Sequence, residues 1–289
     1  MNNAQKIHVW IIYNPNSTGD SKSKAHAFSA LLKKHKVQAT CIPTEYAGHA
    51  EKIAKKTAES EPNPIIFSSS GDGGYNEVIN GVLASNAPKT ICGVLPAGNA
   101  NDHYHTVHRG HVAKRVAAGD FDVIDCIAVD IGKVTRYAHS YIGLGLTPQI
   151  GQELTKRKLS PVVEAWVVFT KLFRITPVKI SYDGKVQFYD HLVISNIPKM
   201  SKYISIAPNA NISDGLLELT TVRSGSFITL LRHLLKRIVS VDADPKQIEA
   251  FEFICERATT LQLDGEVVQL MNGQKVTVRC APKHLRTIS

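Results

Sequence analysis

The stretch Ser68-Ser69-Ser70-Gly71-Asp72-Gly73-Gly74-Tyr75-Asn76-Glu77-Val78-Ile79-Asn80-Gly81 constrains this chain more than any other. Before it lies the apolar run Pro64-Ile65-Ile66-Phe67, which reads as a buried strand. After it, Asn76 to Leu83 places Val78, Ile79, Val82 and Leu83 at helical spacing. A strand, a glycine-rich turn and a helix therefore follow one another. Glycines at 71, 73 and 74 let the backbone turn sharply and bring its N–H groups close to a ligand, and a helix N-terminus favours an anion. A phosphate is the natural guest. Asp72 is the odd member, because a carboxylate beside a phosphate is repelled unless a divalent cation lies between them or the acid has its own catalytic work. A nucleotide carried with magnesium resolves the conflict; an ordinary tight turn is the competing reading.

The first half alternates strand and helix patterns at the pace of a doubly wound α/β sheet. Ile7 to Tyr13 reads as a strand ending in Asn14-Pro15-Asn16-Ser17-Thr18-Gly19; Ala25 to Lys36 as a helix; Val37 to Ile42 as a strand; Ala47 to Ser60 as a helix. Beyond the opening stretch, Ile91 to Leu95 is a further strand, ending in Pro96-Ala97-Gly98-Asn99-Ala100-Asn101-Asp102. Three polar, glycine-containing loops thus sit at strand ends, where ligands of such sheets bind. From about Asp122 the texture turns β-rich. Val123 to Val134, Arg136 to Ile142, Lys179 to Tyr182, Val186 to Phe188 and His191 to Asn196 read as short strands, with later ones at Tyr203 to Ala207, Leu216 to Val222, Ala250 to Ala258, Thr260 to Leu263 and Lys275 to Cys280. The expected boundary puts an α/β ATP-binding domain at 1–125 and a β-rich lipid-binding domain at 126–289, with the last residues free to pack back on the first domain.

A formal net charge of +9 implies attraction to polyanions. Zinc-finger spacing and aromatic-studded RNA-binding strands are missing from the sequence, so no nucleic acid partner is expected. Two helical stretches interrupt the β-rich half, Val162 to Phe173 and Ser226 to Val239, each apolar on one side with basic residues beside it. Such a helix either lies on an anionic membrane surface or packs on the β-domain with a solvated basic face. The polar start Met1 to His8 lacks the apolar core of a secretory signal and no apolar run reaches the roughly eighteen residues of a membrane span, so a cytoplasmic protein with peripheral membrane contact is expected. Cys41, Cys92, Cys126, Cys255 and Cys280 show no paired spacing and are expected to be reduced, mostly buried thiols.

Four of the twelve histidines, His103, His105, His108 and His111, fall in nine residues. Spacing of i, i+3 would face His105 and His108, and His108 and His111, to one side of a helix, where Asp102 could join them at a metal; the other reading is a polar helix face near the phosphate site. Asp264-Gly265-Glu266 separates Thr260 to Leu263 from Val267-Val268 and suits a hairpin turn, since Asp-Gly tolerates positive φ. A functional reading needs Glu266 to act with Asp72, one carboxylate holding magnesium and the other accepting a proton from an attacking hydroxyl.

Asn14-Pro15-Asn16-Ser17, Ser70-Gly71-Asp72-Gly73 with Asn76-Glu77-Val78 and Asn80-Gly81, Pro96-Ala97-Gly98 with Asn101-Asp102, Ala207-Pro208 with Asp214-Gly215-Leu216, and Asp264-Gly265-Glu266 stand in the order seen in the diacylglycerol kinase catalytic family. The chain resembles that family, which includes bacterial lipid kinases and sphingosine kinases, over nearly its whole length; Ser70 and Leu95 to Gly98 look more like the sphingosine kinase version. The resemblance implies an N-terminal nucleotide-binding domain, a C-terminal β-sandwich with inserted helices, and ATP-dependent phosphorylation of a hydroxyl on a diacylglycerol-like or sphingoid lipid. It implies ATP and Mg2+ as cofactors, with Asn14, Ser17, Ser70, Gly71, Gly73, Gly98 and Asn101 lining the nucleotide, Asp72 at the magnesium and Glu266 as general base. Asp125 and Asp264 would belong to a polar network behind the site. Asp214 matches a structural magnesium ligand of some bacterial members. The expected partners are ATP and a lipid at an anionic membrane surface, with a second copy of the chain left open.

The chain departs from the family pattern in places. Gly74 and Asn99 stand where threonines are usual, Thr18 where glycine is usual, and Asn211 where a second acid would accompany Asp214. Asp102-His103-Tyr104-His105 is also atypical. Two other readings stay open: a kinase of a soluble acceptor, resembling an NAD kinase, and a non-catalytic protein that binds nucleotide or lipid.

Overall fold

The computed structural model describes residues 7–17, 19–85, 87–154, 175–201, 204–225, 231–232 and 245–289. The chain divides into two compact units, Met1–Ile124 with Lys283–Ser289, and Asp125–Pro282. Among the described residues the architecture is mixed α/β, with the helices concentrated in the first unit.

In the first unit, β1 (His8–Tyr13) pairs in parallel with β2 (Gln38–Pro43) and β3 (Ile65–Ser70), and β3 with β4 (Ile91–Pro96). Parallel strands covered on both faces read as continuous apolar runs rather than alternating ones. β3 is the clearest case, being buried at all six positions although three are serines. The intervening helices are α1 (Ser21–Lys34), α2 (His49–Ser60) and α3 (Asp72–Leu83); α4 (Asp102–Val107) and α5 (Val112–Ala118) follow β4. α1 buries Ser21, Ala25, Phe28 and Leu32, the 3.6-residue stripe that packs a helix onto a sheet. Its first turn is tied to β3 reciprocally: Ser69 Oγ donates to the Ser21 carbonyl at 2.8 Å, and Ser21 Oγ donates to the Ser69 carbonyl. Glu77 performs structural work as well, its carboxylate accepting from the N–H groups of Gly48 at 3.0 Å and Ala50 at 3.2 Å at the start of α2. Arg115 on α5 holds two acids at once, Asp120 through Nε and Asp122 through Nη2, each at 2.9 Å.

The second unit takes in β5 (Asp122–Ile131), which starts just before its boundary, then β6 (Val134–Ala138), β7 (Tyr141–Gly145), α6 (Leu146–Leu154), β8 (Val178–Tyr182), β9 (Lys185–Ser195), β10 (Lys199–Met200) and β11 (Ile204–Ser205). β12 (Leu217–Arg223), β13 (Lys246–Ile248), β14 (Ala250–Cys255), β15 (Thr259–Leu263), β16 (Glu266–Leu270) and β17 (Lys275–Ile288) complete it. Pairing here is antiparallel: β15 with β16 and β7, β7 and β8 with β9, β14 with β8 and β17. Ile142, Leu144, Leu192, Phe253, Leu261 and Val278 are among the buried residues of its core. β17 runs on into the first unit, where Arg286–Ile288 pairs in parallel with β4.

Several expected boundaries move. Val123 to Val134 is two strands rather than one, because Gly132, at φ +64°, turns the chain between β5 and β6. β17 continues to Ile288, well past Cys280. The expected basic helix Val162 to Phe173 lies outside the described residues, as does Ser226 to Val239 apart from Leu231 and Arg232, which are helical. The five cysteines are free thiols, three of them buried. Burial pushes the Cys92 thiol up to about 12 and that of Cys255 to about 11.

Candidate active site

The three strand-end loops of the first unit meet at Ala97 and Gly98. The β1 loop reaches them through Ser17, whose Oγ donates to the Ala97 carbonyl at 2.8 Å. The β3 loop reaches them through its backbone, the Ala97 N–H donating to the Ser70 carbonyl at 2.9 Å. Lys24, at the start of α1, donates from Nζ to the Pro96 carbonyl. Gly71 and Gly98 then lie backbone against backbone. A Cβ built on Gly98 would stand 2.4 Å from the Gly71 Cα, so the approach itself demands glycine.

The glycine turn is shorter than its sequence suggests. α3 starts at Asp72, not Asn76, and its first backbone bond runs from the Tyr75 N–H to the Gly71 carbonyl at 3.1 Å. Gly73 and Gly74 therefore belong to the first helical turn, whose N–H groups have no carbonyl partner within the helix. Gly71 is the N-cap at φ −85°, ψ −173°, ordinary extended backbone. Gly71 and Gly74 thus serve close packing rather than positive φ. Adding a Cβ at Gly74 would bring it within 2.6 Å of Ser70 Oγ.

Most of the polar side chains predicted to line a nucleotide are engaged in shaping these loops. Asn14 Oδ1 accepts from the Asn16 N–H at 2.9 Å. Asn101, at φ 54°, closes its loop twice: its Oδ1 accepts from the Gly98 N–H and its Nδ2 donates to the Gly98 carbonyl, each at 2.8 Å. Ser70 Oγ donates to the Gly71 carbonyl at 2.9 Å and lies 2.6 Å from Ser68 Oγ. Asp72, half-buried, accepts on Oδ1 from the His103 N–H at 3.2 Å, linking α3 to the first turn of α4. The first unit therefore gathers Asn14, Ser17, Ser70, Gly71, Asp72, Gly73, Gly98 and Asn101 around one set of loops. Thr18 lies outside the described residues.

The histidine cluster does not form one helix face. α4 ends at Val107; His108 is extended, Gly110 takes φ +73° and His111 φ 49°, so the chain breaks before α5. His103 is buried 5.0 Å from the Tyr75 ring, whereas His105, His108 and His111 are exposed, His108 stacking on Tyr104 at 4.4 Å. Among the described residues no three His, Cys, Asp or Glu side chains are grouped to hold a metal ion.

Asp125, Asp214, Asp264 and Glu266 are in the second unit. Asp125 is fully buried; its Oδ2 accepts from the Gly215 N–H at 2.7 Å and its carbonyl from Asn196 Nδ2 at 2.9 Å. Asp214 is exposed and accepts on Oδ1 from the Leu216 N–H at 3.0 Å, while Asn211 Oδ1 accepts from the Ser213 N–H at 3.1 Å. Both side chains thus close their own turns. Glu218, beside them on β12, is buried, and that burial together with the Asp214 charge raises its carboxyl to about 7. Asp72 is a single carboxylate at the start of α3, and Mg2+ is usually held by one or two carboxylates plus substrate phosphates, so this residue fits such an ion.

Asp264 occupies the expected turn at φ 53° with 1 % exposure. Its Oδ1 accepts from the N–H groups of Ser140 at 2.9 Å and Tyr141 at 3.0 Å, and its Oδ2 from the N–H of His139 at 2.8 Å. The His139 ring adds to this, with Nε2 3.2 Å from Asp264 Oδ2 and Nδ1 2.7 Å from Ser140 Oγ. His139 was not singled out from sequence, since a lone histidine between a strand and a serine carries no spacing signal. The clamp fixes the turn from which Glu266, half-buried, opens β16.

The sequence model of the diacylglycerol kinase catalytic domain matches residues 8–134. A diacylglycerol kinase of Staphylococcus aureus (strain bovine RF122 / ET3-1) is 31% identical over 235 residues, covering 76% of this chain and 72% of the relative. One from Staphylococcus epidermidis (strain ATCC 12228 / FDA PCI 1200) is 29% identical over the same length. A crystal structure described as a diacylglycerol kinase from Bacillus anthracis str. Sterne superposes with a TM-score of 0.71 at 20% identity, over 99% of this chain and 98% of that one, which establishes a shared fold. With 31% identity across 76% of this chain and 72% of the relative, this chain belongs to the diacylglycerol kinase catalytic family.

Proposed function

We propose that the chain is an ATP-dependent lipid kinase that phosphorylates a hydroxyl of a diacylglycerol-like or sphingoid lipid at an anionic membrane surface. The observation that carries the nucleotide half is the convergence of three strand-end loops on the Gly71–Gly98 approach, beneath the first turn of α3. Side chains there close the loops, which leaves backbone N–H groups and the helix terminus to meet phosphate oxygens. Asn14, Ser17, Ser70, Gly71, Gly73, Gly98 and Asn101 build this frame in a doubly wound nucleotide domain at 1–125, and a β-sandwich domain at 126–289 takes the lipid. A net charge of +9 supports a peripheral approach to anionic headgroups. No helix among the described residues is long and apolar enough to cross a membrane.

Bound Mg2+ would neutralise charge on the transferring phosphoryl group, and Asp72 would hold it. Glu266 accepts the proton of the lipid hydroxyl as its oxygen bonds to the γ-phosphorus and the bond to the ADP oxygen breaks. Phosphoryl transfer asks chiefly for positioning and charge neutralisation, so backbone donors, one carboxylate at the metal and one base suffice. Asp125 and Asp264 act behind them by fixing loops. The test is transfer of label from γ-radiolabelled ATP to mixed vesicles containing diacylglycerol, phosphatidylglycerol, sphingosine or undecaprenol. Folded Asp72→Ala and Glu266→Ala proteins should each lose transfer by at least about a hundredfold; full activity in both would sink the mechanism. Binding of ATP without transfer to any lipid would favour a non-catalytic binding protein.

A further inference from the structure

We propose that Ser70 is a positioning residue for the nucleotide phosphates and that Gly74 is glycine in order to admit it. The inference rests on the reading that this loop receives ATP. Ser70 is 6% exposed, and its Oγ donates to the Gly71 carbonyl at 2.9 Å. With that proton committed, Ser68 Oγ, 2.6 Å away, is the donor to Ser70. The Gly71 carbonyl accepts a second bond from the Tyr75 N–H at 3.1 Å. Two donors thus hold this carbonyl toward the interior of the first helical turn. Because the peptide is planar and trans, the Asp72 N–H must point the opposite way, out toward the mouth of the loop. Ser70 therefore sets the direction of a backbone donor it does not itself supply.

The same hydroxyl explains residue 74. A Cβ built on Gly74 would lie 2.6 Å from Ser70 Oγ and 2.7 Å from Ser70 Cβ, closer than real atoms approach. The volume that a side chain at 74 would need is already occupied from the strand side. Ser70 and Gly74 form one unit, in which a hydroxyl delivered from β3 excludes a side chain delivered from α3. A change at either position has its meaning only in the context of the other, as expected for residues that share space.

Calorimetric titration with ATP and Mg2+, without lipid, isolates this step from phosphoryl transfer. Ser70→Ala should weaken ATP binding by about tenfold and, because it removes a buried hydrogen bond of the free protein, also lower its melting temperature by a few degrees. Gly74→Thr alone should weaken it by more than tenfold. Ser70→Gly combined with Gly74→Thr should recover affinity to within about threefold of the unaltered protein, because the vacated space now accepts the threonine. A Ser70→Ala protein that melts lower yet binds ATP as before would show that the residue is merely structural and overturn the proposal. So would equal losses from Gly74→Thr in the Ser70 and the Ser70→Gly backgrounds. If the unaltered protein binds ATP and transfers nothing, the kinase reading fails while the affinities of these variants still decide this one; if it binds no ATP, both fail.

Discussion

Asp264→Asn tests whether the Asp-Gly-Glu turn is held by its buried acid rather than by hairpin geometry alone. In the native protein one carboxylate oxygen takes two backbone N–H groups, from Ser140 and Tyr141, and the other takes the N–H of His139 and faces the ring Nε2 of the same residue. An asparagine keeps one acceptor. In its better orientation the oxygen retains the Ser140 and Tyr141 bonds and the amide nitrogen confronts the His139 N–H, leaving one buried donor without an acceptor. Such a donor costs about 1–3 kcal/mol, and loss of the negative charge weakens the two retained bonds, giving about 2–4 kcal/mol in all. For a unit of this size that corresponds to a melting temperature lower by roughly 5–15 °C. Differential scanning calorimetry reads the shift directly, and lipid phosphorylation below the melting range reads the consequence for Glu266. A fall in kcat with little change in the KM for ATP is expected, because the disturbed turn carries the proposed base and not the phosphate loops. A protein that melts within about 1 °C of the native one would refute the clamp, since the buried His139 N–H cannot lose its acceptor at no cost.

Two further outcomes follow from other parts of the structure. Gly98→Ala places a Cβ 2.4 Å from the Gly71 Cα, so the two loops must separate; a loss of about 1–3 kcal/mol in urea denaturation and a KM for ATP raised about tenfold are expected, and an unchanged KM would count against the convergence of the loops. For Glu218, burial first and the Asp214 charge second raise the carboxyl from 4.5 to about 7. A raised acid is neutral in both states below about 4.5; as the pH climbs from there to about 7 the unfolded chain ionises first, so the folded state loses on the order of 3 kcal/mol that it held in acid. Glu218→Gln should therefore raise the urea midpoint at pH 8 and change it little at pH 5, and an equal effect at both pH values would contradict the raised carboxyl.

The alternation of strands and helices in the first half was legible because strands such as β1 and β4 are apolar runs and α1 carries a 3.6-residue stripe. The Asp264-Gly265 turn was legible for a local reason too, since Asp264 does take positive φ. What failed to show in sequence depends on neighbours distant along the chain. The start of α3 at Asp72 was hidden because three glycines in four residues look like a turn, and only their packing against Gly98 and Ser70 shows why a helix begins among them. The partners of Asp264 lie more than 120 residues earlier, at His139 to Tyr141, and no periodicity links the two segments. For the histidine cluster, i, i+3 spacing implies one face only while the helix persists, and α4 ends at Val107 with His108 extended.

The glycine at 74 removes the threonine hydroxyl usual there when that position is taken alone, but the geometry pairs it with the hydroxyl of Ser70. In α3 the N–H groups of the first turn do not depend on which side chain stands at 74; they depend on the course of the backbone through Gly71 and Asp72. That course is set by the Gly98 contact on one side and by the Ser70 hydroxyl on the other. Asn14, Ser17 and Asn101 act in the same manner, each binding backbone atoms of the loops rather than presenting a free polar group. On the proposed reading, a site built so can carry its hydroxyl on the strand instead of the helix and keep the backbone donors that would meet an anion, provided the glycines at 71 and 98 still let the two loops touch. Substitutions that preserve that contact should then be milder for ATP binding than a single methyl group added at Gly98.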